Sequence, residues 1–258
     1  MAQAKAELQK DIHLIERALA LPEPRRPFGT GPVKRIEGII ANYGDQLGKH
    51  LLSQAKTVLD GRNRWNDKGF RPEQLTDPTG TEIEKFLVSR RSVRAFGSGK
   101  QITNSELEQV IALAVQAPSV SNTQSWNVRV YRESADVTRI LKLQNGNVGN
   151  SPIPVLLMVT VDIRHFTGSN ERNQMWIDGG IFLQQLLLSI HALGWASCLM
   201  NFSATNSQAN KLRKLANIAD YEEIISFVSV GEENQAIAPA PSLRKPAASV
   251  LRVERLKN

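Results

Sequence analysis

The residues best suited to chemistry in this chain form a short basic run, Ser89-Arg90-Arg91-Ser92-Val93-Arg94-Ala95-Phe96. Three guanidinium groups within five residues repel one another unless an anion or carboxylates sit among them. A phosphate suits them, because the planar fork of arginine donates two parallel hydrogen bonds to it. Ser92 adds a short neutral donor. If the backbone is extended here, Arg90, Ser92 and Arg94 share one side by the two-residue repeat of a strand. A second basic knot, Arg244-Lys245, precedes Pro246. Two polar segments lie between the knots. Ala117-Pro118-Ser119-Val120-Ser121-Asn122-Thr123-Gln124-Ser125-Trp126 can present several hydroxyl and amide donors to a polar ligand edge. Gly194 to Phe202 carries Cys198, Met200 and Asn201. Taken singly, each has an ordinary reading: a solvated basic turn, a helix-to-strand turn, a strand with its turn, a solvated tail.

Composition narrows the chemistry. The net charge is +7, and 22% of the 258 residues are charged. Such a balance points to an anionic partner, nucleic acid or a phosphate-bearing cofactor. Nucleic acid is disfavoured, because it calls for a basic stripe with stacking aromatics, whereas the charge here is in two compact knots and aromatics make up 6%. Cys198 is the only cysteine, so no intrachain disulfide forms, and it reads as a buried, inert thiol. His13, His50, His165 and His191 show no ligand spacing, so no metal site is expected. No apolar run approaches the roughly 20 residues that span a bilayer, and residues 1–10 are polar, so a cytoplasmic protein with no membrane partner is expected.

The elements that must position these residues follow from periodicity. Leu8, Ile12, Ile15 and Leu19 mark a helix over 3–20, ended by Pro22 and Pro24. A second helical pattern runs from Ile36 to Leu59, and Gly61 to Gly80 reads as an irregular connection. Residues 1–80 are therefore expected to form a helical extension, and 81–258 the body. Helices are predicted over 82–89, from the capping box Thr103-Asn-Ser-Glu106 to about Gln116, over 135–143, over 178–193 and over 210–216. Strands are predicted at 127–131, 154–161, 195–201 and 224–230, with a final edge strand at 249–253. Helix 178–193 is apolar nearly all round, as in a core or a subunit interface. The interleaving gives an α+β class. Neither a Gly-x-Gly-x-x-Gly after a strand nor a phosphate-binding Gly-x-x-x-x-Gly-Lys loop occurs.

In this order the four segments resemble the nitroreductase family of FMN enzymes. That family carries Arg-Arg-Ser-x-Arg-x-Phe, then Ala-Pro-Ser-x-x-Asn-x-Gln-Pro-Trp, then Asp-x-Gly before a long apolar helix ending Leu-Gly-x-x-Ser-Cys, then a strand ending in Gly, then Arg-Lys-Pro. The matches are Arg90–Phe96, Ala117–Trp126, Asp178–Cys198, Val228–Gly231 and Arg244–Pro246, within residues 82–253. The resemblance implies a mixed sheet flanked by helices, in an intertwined homodimer with two flavin sites. It assigns Arg90, Ser92 and Arg94, with Arg91 beside them, to FMN, and Arg244 with Lys245 to its phosphate. Pro118, Ser119, Val120 and Asn122 match a loop that closes over the flavin of the partner subunit. Met200 and Asn201 match the backbone that approaches flavin N5, so no side chain is catalytic in its own right. The implied reaction is ping-pong: NAD(P)H reduces FMN and leaves, and an electron-poor small molecule takes the electrons. The alternative is a flavin-binding accessory or biosynthetic protein of the same fold. Ser125 stands where the family has proline, Gln185 where asparagine is frequent, and Asn201 where small residues are usual; asparagine tolerates a left-handed turn.

Overall fold

The computed structural model describes residues 2–70, 81–147, 149–150, 152–166 and 168–256. The chain divides into two compact units. One comprises residues 1–19, 24–73 and 240–258, the other 20–23 and 74–239. This division differs from the boundary expected at residue 80, because the C-terminal tail groups with the N-terminal helices.

The helical unit packs α1 (Ala2–Leu19), α2 (Thr30–Leu47) and α3 (Lys49–Lys68) around one core. The predicted stripe Leu8, Ile12, Ile15 and Leu19 is buried there with Ile36, Leu47, Ala55 and Val58. The pattern read as one helix from Ile36 to Leu59 is two. Gly48 breaks it, at a φ of 88° that glycine adopts without steric cost. Helix α3 also runs past Gly61, where an irregular connection was expected, to a cap at Gly69. Its polar residues make the reason clear: they pin the proline-rich loop. Arg62 Nε and Asn66 Nδ2 donate to the Phe28 carbonyl at 2.8 and 3.1 Å, Phe28 N–H donates back to Asn66 Oδ1, and Trp65 Nε1 donates to Arg25 O. The rest of the expected connection, 71–80, lies outside the described residues.

The second unit is a sheet between two helical layers. Its strands β1 (Trp126–Tyr131), β2 (Val155–Asp162), β3 (Ala196–Met200) and β4 (Glu222–Gly231) lie in the order β1-β2-β4-β3, each neighbour pair antiparallel. The four-stranded sheet is thus antiparallel rather than mixed, and the parallel bridge from Ser92 to Ser197 is an isolated one. Strand β2 is buried throughout, as its unbroken apolar run requires. Its Val155, Leu157, Val159 and Val161 join a core with α5 (Asn104–Ala114) and α7 (Gln174–Ala192). Leu156 and Met158 join the opposite core, with α6 (Ser134–Leu141) and α8 (Asn206–Leu215). Helix α4 (Glu82–Ser89) leads into the arginine run. The edge strand expected at 249–253 is absent: a short 3-10 turn spans Ala247–Ser249, and Val250, Leu251 and Val253 are exposed with no sheet edge to pair. Among the described residues no helix is long and apolar enough to cross a membrane.

Candidate functional site

The arginine run begins where α4 ends. Thr81 and Glu84 form a reciprocal capping box at the start of α4, and Ser89 at its end lies 2.8 Å from His191 Nε2, whose ring stacks on Phe86. Beyond Ser89 the chain is extended. Val93 N–H donates to Ser197 O at 2.9 Å, Gly97 N–H to Glu232 O at 2.9 Å and Asn234 N–H to Ala95 O at 3.1 Å, so the run is stitched to the ends of β3 and β4. Val93, Ala95 and Phe96 are buried. Arg90, Ser92 and Arg94 are half-buried on alternate positions, as the two-residue period requires. Arg94 Nη1 donates to Ser92 O at 3.3 Å, and Arg91 Nη1 to the Val88 and Arg90 carbonyls.

Gly231 has a specific part in this docking. A Cβ there would stand 2.8 Å from the Phe96 ring and 2.9 Å from Pro154. The glycine that closes the strand pattern in the sequence is thus what lets Phe96 seat the arginine run. Burial, reinforced by the charges of Arg90 and Arg91, pushes the His191 pKa below its ordinary value, so its ring stays neutral beside them. Burial raises the Glu233 carboxyl. A cavity of about 370 Å³ adjoins the run, lined by Arg90, Arg91, His191, Trp195 and Glu233 among others, but not by Ser92 or Arg94.

The loop after α5 is the second component. Ala117 is buried, and Ser119 and Val120 are half-buried. Ser121, Asn122 and Gln124 all have positive φ, 48°, 56° and 47°, a costly conformation for residues with side chains. Local bonds hold it: Gln124 N–H donates to Ser119 Oγ at 3.0 Å, and Gln124 Nε2 to Asn122 Oδ1 at 3.1 Å. Asp178, 1% exposed near the start of α7, accepts from Val120 N–H at 3.2 Å and from Gln174 Nε2 at 2.7 Å. Pro118 and Asn122 remain exposed.

The third component is the end of β3. Met200 is buried, and its carbonyl accepts from Ser226 Oγ at 2.7 Å. Asn201 is exposed, and its carbonyl accepts from Gln144 Nε2 at 2.6 Å. The left-handed turn that asparagine would tolerate is not at Asn201; such residues cluster at 121–124 instead. Arg244 and Lys245 lie in the helical unit. Both are exposed, and Arg244 Nη1 donates to Ser242 O at 2.7 Å. The structure therefore brings Arg90, Ser92 and Arg94 together on one extended segment, and Ser119, Val120 and Asn122 into one braced turn. Sequence reasoning missed His191, Gln144 and Gln174, since a lone histidine or glutamine carries no spacing signal.

Comparison with known proteins decides the family. The Nitroreductase family matches residues 87–152 and 151–232, more than half of the chain. The chain belongs to the nitroreductase family. Relatives fit this assignment. An Archaeoglobus fulgidus protein named for NADH dehydrogenase/NAD(P)H nitroreductase is 26% identical over 151 residues, 58% of this chain and 84% of that one. The 4-nitrobenzoate reductase of Pseudomonas putida is 25% identical over 67% of this chain and 92% of its own length. Among solved structures, one from Desulfovibrio desulfuricans, described as a nitroreductase in complex with FMN, superposes with a TM-score of 0.58 at 18% identity. It covers 69% of this chain and all of that one. The nitroreductase fold is thus shared, and the helical unit's α1–α3 lies outside the matched span. In this nitroreductase-family oxidoreductase, Ser125 is 2% exposed, and its hydroxyl has no hydrogen-bond partner among the described residues.

Proposed function

We propose that this chain is an FMN-dependent oxidoreductase that passes electrons from NAD(P)H to an electron-poor small molecule and works as a homodimer. The observation that carries the reading is the extended segment that puts Arg90, Ser92 and Arg94 at alternate, half-buried positions while Val93 and Ala95 anchor it in the core. Two guanidinium groups and a hydroxyl within five residues match the donors that a phosphate and a polyhydroxylated chain accept. FMN, when bound, supplies the redox chemistry, and the protein supplies binding, orientation and electrostatics.

Each residue then has a task. Arg90 and Ser92 hold the phosphate and the hydroxylated chain. Arg94 keeps a positive charge at the ring edge where negative charge develops on reduction. His191, neutral in this setting, adds no further positive charge to the cluster. Asp178 fixes the Val120 amide, so the turn 119–124 is preformed, and the same turn of a second copy closes the site. Met200 and Asn201 present backbone toward the ring. The motif order adds Arg244 and Lys245 as phosphate contacts, on the sequence pattern alone. Support for the second copy comes from α7: Leu183, Leu186 and Leu187 enter the chain's own core, whereas Ile177 and Ile181 stay exposed on the other side of the helix. An apolar helix face open to water fits an obligate interface.

Steady-state assays of the flavin-loaded protein with NADH or NADPH and a nitroaromatic acceptor test the reaction. Consumption of one of the two nucleotides, with parallel double-reciprocal lines, is expected. No consumption of either nucleotide overturns the proposal.

A further inference from the structure

The helical unit holds a cavity of its own, of about 820 Å³, within the size range of small-molecule sites. Four lysines line it: Lys5 and Lys10 from α1, Lys49 from α3 and Lys245 from the tail. Among the described residues no carboxylate is in the lining. The same cavity receives the N-terminus of α3, beside Leu47, the last residue of α2. Gly48 is the N-cap, there is no side-chain cap, and the first turn contains no acidic residue. The first amides of a helix lack internal partners and carry the positive end of its dipole, so they draw an anion. Lysines gathered around an uncapped helix start repel that positive end, and an anion among them reverses the sign.

A second observation points the same way. Gln54, one turn further along α3, lines the cavity and is 4% exposed. No hydrogen bond to its amide occurs among the described residues. The amide opens on the cavity without a protein partner among them, and a ligand's polar edge would pair with it. Leu47, Leu51 and Pro246 give the lining an apolar part. The tail is held in place here by the two histidines: His50 Nε2 lies 3.2 Å from Arg244 O, and His13 Nδ1 lies 3.3 Å from Ser242 Oγ. Glu16, its side chain 3% exposed, sits 3.5 Å from His13 Nδ1 and braces that ring. Lys245 is thereby delivered to the cavity.

We propose that this cavity is a binding site for an organic phosphate of mononucleotide size. The phosphate sits among the lysines at the start of α3. The ring lies against Leu47, Leu51 and Pro246, and the Gln54 amide reads a polar edge. Lys245, which the motif order gives to the flavin phosphate, is the one lining residue shared with the flavin reading; Lys5, Lys10, Lys49 and Gln54 have no part in it.

The test is calorimetric titration of the full-length protein, with whatever flavin it carries, using ADP as the probe and inorganic phosphate and FMN as comparisons. ADP is expected to bind at one per chain without change in the flavin absorbance, and more tightly than inorganic phosphate. The double variant Lys5→Glu/Lys49→Glu is expected to weaken ADP at least tenfold. Its flavin content should be unchanged and its melting temperature without ADP no lower, because Glu at the start of α3 suits the helix dipole. The variant Gln54→Met should weaken ADP while leaving phosphate binding alone. Absence of ADP binding at millimolar concentration overturns the proposal. So does one-for-one competition between ADP and FMN, which would make the cavity part of the flavin site, or affinity for inorganic phosphate equal to that for ADP.

Discussion

Arg90, Ser92 and Arg94 take alternate positions because the backbone through them is extended, and Val93 and Ala95 hold it extended by entering the core. Arg94→Ala leaves that anchoring intact and removes only a charge. Stopped-flow reduction by the preferred nicotinamide nucleotide should slow about tenfold, the equivalent of about 1.4 kcal/mol in the barrier; an unchanged rate would remove Arg94 from the site. A second residue-scale prediction concerns Glu222, 8% exposed. It accepts from Arg129 Nη1 and Nη2 at 2.8 and 2.7 Å and from Thr160 Oγ1 at 2.5 Å. The Arg129 guanidinium, aided by the Thr160 hydroxyl, holds the carboxyl below its ordinary value against the opposing effect of burial. The unfolded chain then binds the proton more readily. The stability this group contributes is full above the ordinary carboxylate range, near pH 4.5, and drains as the pH falls through it toward the depressed value. Glu222→Gln should cost about 2 kcal/mol at neutral pH, within the scale of breaking a partly buried pair, and flatten the acid limb of the stability curve. Denaturant melts from pH 7 to pH 3 check both. The arginine run stood out in the sequence because three like charges lie at close, fixed spacing. The Arg129–Thr160–Glu222 cluster did not, because its members come from three strands, at sequence distances of 31 and 62 residues, and register alone joins them.

At the scale of elements, α7 owes its placement to adjacent glycines with opposite surroundings. A Cβ on Gly179 would meet Ile225 Cγ1 at 2.9 Å and Cγ2 at 3.1 Å, whereas one on Gly180 would meet nothing within 4 Å. Ile225 is β-branched and stiff at χ1, so the strand cannot yield cheaply. Gly179→Ala is expected to destabilise by about 1–2 kcal/mol, the clash outweighing the gain in helix propensity. In thermal melts Gly180→Ala should leave the fold of the single chain as stable or more so; equal effects from both substitutions would refute this packing account. Elements with a local signature were readable. The Thr103 capping box and Pro118 bracket α5, and the unbroken apolar run of β2 announces burial on both faces. Elements set by distant partners were not. The apolar pattern from Ile36 to Leu59 does not reveal the break at Gly48, and the polar end of α3 looks like a connection until its bonds to the loop at Phe28 are seen.

At the scale of the whole molecule, the all-apolar helix 178–193 has two fates. Leu187, 5% exposed, belongs to the chain's own core, and Ile181, 38% exposed, does not. Ile181→Asp should therefore yield a folded monomer that has lost its flavin, while Leu187→Asp should fail to fold, since a buried unpaired charge costs several kcal/mol. Light scattering with far-ultraviolet circular dichroism separates the cases, and an Ile181→Asp dimer that keeps its flavin would refute the interface. The family and its fold were legible as motifs in order, because each marks a backbone feature: an extended donor segment, a braced turn, a close-packed glycine. The division into units was not. Nothing local in residues 240–258 says that they group with helices 200 residues earlier. The central claim is that the Arg90–Ser92–Arg94 segment holds FMN, and the most direct measurement is the visible spectrum of the purified protein and of its Arg90→Ala/Arg94→Ala variant, with mass spectrometry of the chromophore released on denaturation. The account predicts a yellow protein that releases FMN and a folded, largely colourless variant; a parent protein that is colourless and takes up no added FMN, or a variant as yellow as the parent, would contradict it.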